Sequence, residues 1–410
     1  MKVLQINNVH YRRGGADAVY LNTAALLEQH GVEVVFFNML KKDNLPCKDE
    51  KYWVSSDESR GGGVKSKLKA LRDFFDNPEA ARRIEELIIE ERPDIAHVHL
   101  FWGMGISPSI TKMLKKYNVP LVHTAHDYHL ICPVALLMDS KGNVCEACKG
   151  KHYYKAMLKG CSHNGRVATC IKAAEQYYHN WKYNPVDVLQ GIIYVSHFSR
   201  KKHLEFMPSL ERVNSTVLYN FNEIGEPREN LNAKYYLYYG RLAQEKGLFT
   251  LIEAFRNNPG LQLKIVGTGP LEDAIRQKLP TNVEMLGPKY GDELFMLVKG
   301  AKFVCVTSEC YENNPLTIVE SYSRGIPVIG SNLGGITEII NDGETGFLFE
   351  HKNVVELSEC LKKANSLSEG QYISMCNNAY FFAQENFSGE RHYERLISFY
   401  QEVISLFKKE

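Results

Sequence analysis

Thr307-Ser308-Glu309-Cys310-Tyr311-Glu312-Asn313-Asn314-Pro315-Leu316-Thr317-Ile318-Val319-Glu320, continuing Ser321-Tyr322-Ser323-Arg324-Gly325-Ile326-Pro327-Val328, is the stretch on which the fold turns. It leaves an apolar run with strand character, Lys302–Thr307, and carries its own helix signals. Asn314 suits an N-cap and Pro315 a first helical position. Gly325 suits the end of that helix, and Pro327–Gly330 reads as the next strand. Strand, helix and strand at this spacing belong to a parallel sheet. The free N–H groups expected at Asn313–Thr317, with the helix dipole behind them, predict a phosphate site. Glu312 stands just before the helix and Glu320 about a turn and a half inside it. The two carboxylates are spaced to hold hydroxyl-bearing groups on either side of a diphosphate.

The same alternation runs outward in both directions. Downstream of a polar, turn-rich linker at Val213–Ala233, Tyr235–Gly240 and Leu261–Val266 read as strands with a helix, Leu248–Arg256, between them. Upstream, the periodicity predicts strands at Lys2–Asn7, Glu33–Asn38, Asp94–His99, Pro120–Ala125 and Gly191–Ser196. Helices are expected at 16–30, 82–91 and 109–117. The reading is an α/β chain of two doubly wound domains facing a cleft, 1–215 and 216–390. Apolar residues at helical spacing in 391–410 predict a terminal helix packing back on the first domain. Ligands in such sheets bind at the carboxyl ends of the strands.

Composition excludes several classes. At 410 residues, 44% hydrophobic and 24% charged, the chain is an ordinary globular protein of about two domains. Its apolar runs are far shorter than the ~20 residues of a membrane span. Met1–Ile6 lacks an h-region and reads as a first strand, which points to the cytoplasm. The net charge of +1 conceals a basic segment: residues 101–200 hold 12 Lys/Arg and 5 Asp/Glu. That suits an anionic surface or a phosphorylated substrate, or a solvated basic face. With no zinc finger, RNP-like motif or basic repeat, nucleic acid is not the expected partner.

Glu312 and Glu320 resemble the E-x7-E signature of the retaining glycosyltransferases of family 4, which have the GT-B fold; Pro315, Gly325, Pro327 and Val328 fit as well. One position departs: the residue after the first Glu is usually Gly in that family and is Asn313 here. Gly240-Arg241-Leu242-Ala243-Gln244-Glu245-Lys246-Gly247 is similar to the family's G-R-L-x-x-x-K-G loop, and Val266-Gly267-Thr268-Gly269 to its second glycine turn. Gly14-Gly15 resembles the N-terminal glycine loop. His123-Thr124-Ala125-His126-Asp127 places His126 at the family's active-site histidine.

The resemblance implies a nucleotide-sugar donor, UDP- or GDP-linked, and a glycan or polyprenyl-linked acceptor in cell-surface polysaccharide synthesis. Arg241 and Lys246 would neutralise the leaving diphosphate. Glu312 would hold hydroxyls of the transferred sugar, as His126 would contact it, and Glu320 would bind the ribose. Gly15, Gly267, Asn313, Asn314, Pro315 and Leu316 would line the donor. No D-x-D motif occurs, so no catalytic metal is expected, and with no carboxylate evident beneath the anomeric carbon the expected course is front-face attack. Asp127 either orients His126 or caps the next segment. Ser196 and Asn220 either line the cleft or cap loops. Another GT-B enzyme, an epimerase or phosphorylase, or a non-catalytic glycan-binding protein are the alternatives; the paired motifs favour the transferase.

Cys132, Cys145, Cys148 and Cys161 are spaced C-x12-C-x2-C-x12-C, which suits a structural zinc, free thiols or, less well in a cytosolic protein, disulfides. Lys149, Lys151, Lys155, Lys159, Tyr153 and Tyr154, together with the amphipathic stretch Lys65–Phe75, suit contact with the anionic inner face of a plasma membrane; a basic helix in solvent is the other reading.

Overall fold

A computed structural model describes residues 1–56, 63–100, 102, 105–226, 233 and 235–409. These divide into two compact units. The first is Met1–Ser140, Cys145–Leu218 and Tyr393–Glu410; the second is Lys141–Val144 and Tyr219–His392. Residues 227–232 of the expected linker, and residue 234 just after it, lie outside the described residues.

The first unit is a six-stranded parallel sheet, β1 (Lys2–Ile6), β2 (Glu33–Phe37), β3 (Ile95–Val98), β4 (Leu121–Ala125), β5 (Gly191–Tyr194) and β6 (Asn214–Val217), ordered β2-β1-β3-β4-β5-β6. β3, β4 and β5 are buried throughout, as strands covered by helices on both faces must be. One face is closed by the terminal helix Gly389–Phe407. Its Leu396, Phe399, Tyr400 and Val403 lie at helical spacing against Val3, Val122 and Ile193.

β6 corrects the sequence reading, which ended this half at Gly191–Ser196 and placed Val213 onward in a linker. Asn-Ser-Thr-Val has no apolar alternation and stays half-buried. Its strand character comes from pairing with β5, Gly191 to Asn214 through Tyr194 to Val217, at the sheet edge.

The second unit is also parallel: β7 (Tyr235–Tyr239), β8 (Leu263–Val266), β9 (Val283–Gly287), β10 (Ala301–Val306), β11 (Val328–Ser331) and β12 (Gly346–Phe349), ordered β12-β11-β10-β7-β8-β9. Period-two alternation sends Tyr236, Tyr238, Phe303 and Cys305 to one core, and Leu237, Tyr239, Val304 and Val306 to the other. The strand order reverses between β7 and β10, so the loops after these two strands flank the switch point where doubly wound sheets bind ligands. In the first unit the corresponding point lies between β1 and β3.

Candidate active site

In the second unit, β7 delivers the loop Gly240–Gly247 and β10 the loop Thr307–Pro315 to the switch point. The two loops meet through one ion pair: Lys246 Nζ lies 2.5 Å from Glu312 Oε1. Ser308 Oγ donates to the same oxygen at 2.7 Å. Burial alone would pull the Lys246 ammonium down, but the charge of Glu312 more than offsets it and holds the lysine above its ordinary value. Burial would likewise raise Glu312, yet Lys246 and Ser308 hold it below the usual carboxylate range. Both groups are therefore ionised at neutral pH.

Arg241 does not join this pair. It is exposed and its guanidinium bonds the buried carboxylate of Glu245, one turn on. Glu320 is half-buried on the helix Leu316–Tyr322, with Oε2 3.1 Å from the Tyr239 hydroxyl, which also lies 3.0 Å from Thr317 O.

The helix start differs from the sequence expectation. Pro315 is the N-cap, with extended backbone, and Leu316 the first helical residue; Asn314 makes no cap bond to the helix. The Asn314 side chain instead accepts from the Asn220 backbone N–H at 2.9 Å, while Asn220 Nδ2 donates to Asn314 O at 2.7 Å. A reciprocal bond from a distant residue has taken the oxygen that would have capped the helix. The helix end agrees with the sequence: the helix runs to Tyr322, Gly325 takes the left-handed conformation (φ +65°), and Ile326 N–H closes the turn onto Ser321 O at 3.0 Å.

Asn313, where the resemblance expected glycine, is buried. A Cβ on Gly335 would stand 1.8 Å from Asn313 O, and Gly335 N–H donates to Glu312 O at 2.7 Å. The backbone of Glu312-Asn313 is thus clamped by a glycine from the loop after β11. Gly267 has a similar supporting position: at φ +139°, its Cβ would lie 1.9 Å from Gly240 O, so the second glycine turn packs beneath the loop that carries Arg241.

In the first unit, Gly14 and Gly15 open the helix Gly15–Gln29 and are exposed. Neither has positive φ, so the turn itself does not demand glycine. His126 follows β4. Its Nε2 lies 2.9 Å from His99 Nδ1, with the rings stacked at 17°. His99 Nε2 lies 2.9 Å from Gln5 Oε1, Gln5 Nε2 3.5 Å from His97 Nδ1, and the Tyr400 hydroxyl 2.6 Å from the same His97 nitrogen.

With the Gln5 amide assigned this way, His99 donates from Nε2 and accepts at Nδ1, so His126 carries its proton on Nε2 and a lone pair on Nδ1. Burial pulls His126 down to about 4 against the opposing charge of Asp127, so it is neutral at pH 7. Asp127 bonds the His129 backbone N–H at 2.9 Å and its ring at 3.2 Å. It caps its own turn, and His99 is the residue that orients His126. The sequence reading missed His99 and Gln5. The signal was present in the period-two spacing of His97 and His99 within an otherwise apolar strand.

Cys148 and Cys161 pack with Tyr153, Ala156 and Ala173. Burial, then the neighbouring thiols, push Cys148 up to about 12 and Cys161 up to about 11. All ten cysteines are free, and among the described residues no group of three or more His, Cys, Asp or Glu is placed to hold a metal ion.

Residues 13–221 match the family model described as Glycosyltransferase Family 4, and residues 221–380 the model described as Glycosyl transferases group 1. The chain belongs to glycosyltransferase family 4. This glycosyltransferase is 25% identical to an uncharacterized 42.6 kDa protein in the cps region of Klebsiella pneumoniae, over 83% of this chain and 87% of that protein. It is 23% identical to a D-inositol 3-phosphate glycosyltransferase of Actinosynnema mirum, over 97% and 94%. Among solved structures it resembles Anabaena HepE in complex with UDP (TM-score 0.65, 18% identity, 98% of this chain and 100% of that one). Sucrose-phosphate synthase from Thermosynechococcus elongatus has TM-score 0.71 at 17% identity, with 99% of each chain covered. The family 4 transferase thus has the GT-B fold, two Rossmann-like units each built on a parallel sheet.

Proposed function

We propose that this transferase is a retaining enzyme that moves a sugar from a UDP- or GDP-sugar to a glycan or polyprenyl-linked acceptor during cell-surface polysaccharide synthesis. The observation that carries the reading is the Lys246–Glu312 pair at the β7/β10 switch point, with Glu320 a turn and a half further on. The cps-region relative and the UDP-bound likeness of HepE support the pathway and the donor class.

The roles follow from charge. As the bond from the anomeric carbon to the diphosphate oxygen breaks, negative charge grows on the diphosphate, and Lys246 and Arg241 stabilise it. The backbone N–H groups of Leu316 and Thr317, which begin the helix, have no intrahelical acceptors and add to that field. Glu312, held ionised by Lys246, accepts hydroxyls of the transferred sugar. Glu320, steadied by Tyr239, accepts a ribose hydroxyl. His126, neutral and oriented by His99, accepts a sugar hydroxyl at Nδ1. The acceptor oxygen bonds the anomeric carbon on the face the diphosphate leaves, and its proton passes to the departing diphosphate oxygen.

The test is to screen UDP- and GDP-sugars by thermal shift, then to follow nucleoside diphosphate release with the best donor and read the anomeric configuration of the product by NMR. An inverted anomer would remove the retaining reading; no release with any donor and acceptor would remove the transferase reading for this site.

A further inference from the structure

The first unit carries three neighbouring helices whose outward faces the transfer chemistry does not use. Val64–Phe75 and Tyr154–Lys159 both pack on Gly165–Lys182. Phe75 meets Tyr178 ring to ring at 5.7 Å, and Tyr154 N–H donates to the Tyr177 hydroxyl. Each helix leaves an apolar row in solvent at helical spacing: Val64, Leu68 and Leu71 on the first, Tyr154 and Leu158 on the second, Tyr177 and Trp181 on the third. Leu68 is 63% exposed, Leu158 76% and Trp181 79%, where a folded core would have hidden them.

Charge selects the occupant. The only acidic residues of the three helices, Asp73 and Glu175, are buried. Lys65, Lys67, Lys159 and Arg166 are exposed. Helices whose exposed ionic groups are all cations, set around long apolar side chains, have the pattern of helices lying in the headgroup layer of an anionic bilayer. A second copy of the chain fits poorly, because the like charges would face one another. We infer that this three-helix face docks on a bilayer containing anionic lipid, with Leu68, Leu158 and Trp181 entering the acyl boundary and the lysines meeting the headgroups.

The inference rests on no part of the donor chemistry, and its test contains no sugar nucleotide. The full chain is mixed with vesicles of phosphatidylcholine alone or with added phosphatidylglycerol. Of the three tryptophans, Trp53 and Trp102 are buried, so a change in emission on binding reports Trp181. The expected result is sedimentation with the anionic vesicles only, a blue shift of Trp181 emission, and release by salt. Lys65→Ala and Lys67→Ala should each weaken partition by about fivefold. Leu68→Ser with Leu158→Ser should abolish the blue shift while leaving the far-UV spectrum and melting temperature unchanged, because both side chains are exposed. Equal partition to the two vesicle types, salt-insensitive binding, or binding with no shift in emission would overturn the proposal, and so would no binding at all.

Discussion

Replacing Lys246 with Ala separates the electrostatics of the site from its packing. In the native chain Glu312 accepts from Lys246 Nζ at 2.5 Å and from Ser308 Oγ at 2.7 Å, with side chains 29% (Lys246) and 16% (Glu312) exposed. Breaking a fully buried pair costs about 3–5 kcal/mol. Partial solvation here and the surviving Ser308 bond bring the expected loss nearer the ~1.5–3 kcal/mol of a hydrogen bond to a charged group. The loss should depend on pH in one direction. Glu312 has a depressed folded-state pKa, so its contribution is present above the unfolded carboxylate value and is lost as pH falls through the folded one. In the variant, burial acts without the lysine and Glu312 becomes easier to protonate. Urea unfolding should therefore show the largest gap between native and Lys246→Ala chains at pH 7, and a smaller gap below the usual carboxylate range, about pH 4. Turnover should fall by about 10²–10³, the effect of removing one stabiliser of transition-state charge. A stability gap of the same size at both pH values would refute the coupling of Lys246 to Glu312.

Glu320→Ala should weaken binding of the free nucleoside diphosphate by about 1.5–3 kcal/mol, and calorimetry showing unchanged affinity would exclude a ribose contact. In His99→Ala, two-dimensional ¹⁵N spectra should show His126 losing its single Nε2–H tautomer, with nucleoside diphosphate affinity retained; an unaltered tautomer would show that His99 does not orient it. Gly335→Ala should cost about 1–3 kcal/mol, since the added carbon meets Asn313 O at 1.8 Å, and an unshifted urea midpoint would count against the clamp. If Cys132, Cys145, Cys148 and Cys161 hold a structural zinc, elemental analysis of protein prepared without chelator should find about one zinc per chain, and Cys145→Ser with Cys148→Ser should lose it; protein containing no zinc would leave these thiols as packing residues.

Much of the architecture is local and so was legible in the chain. Runs such as Gly191–Tyr194 and Phe303–Val306, separated by helical periodicity, are enough to specify a parallel sheet, because burial on both faces demands continuous apolar strands. The motif positions around Arg241, Lys246, Glu312 and Glu320 were visible for the same reason: each lies at the end of a strand or in the first turns of a helix. Tertiary structure decided what contiguous sequence cannot encode. β6 exists because β5 offers a paired edge. Asn314 leaves the helix cap because Asn220, 94 residues earlier, takes its oxygen. Lys246 selects Glu312 across 66 residues while Arg241, in the same loop, selects Glu245. His126 turns to His99 because β3 and β4 are neighbours. In each case the deciding term is a partner brought close by the sheet order, whose hydrogen bond or charge outweighs the local preference of the residue itself.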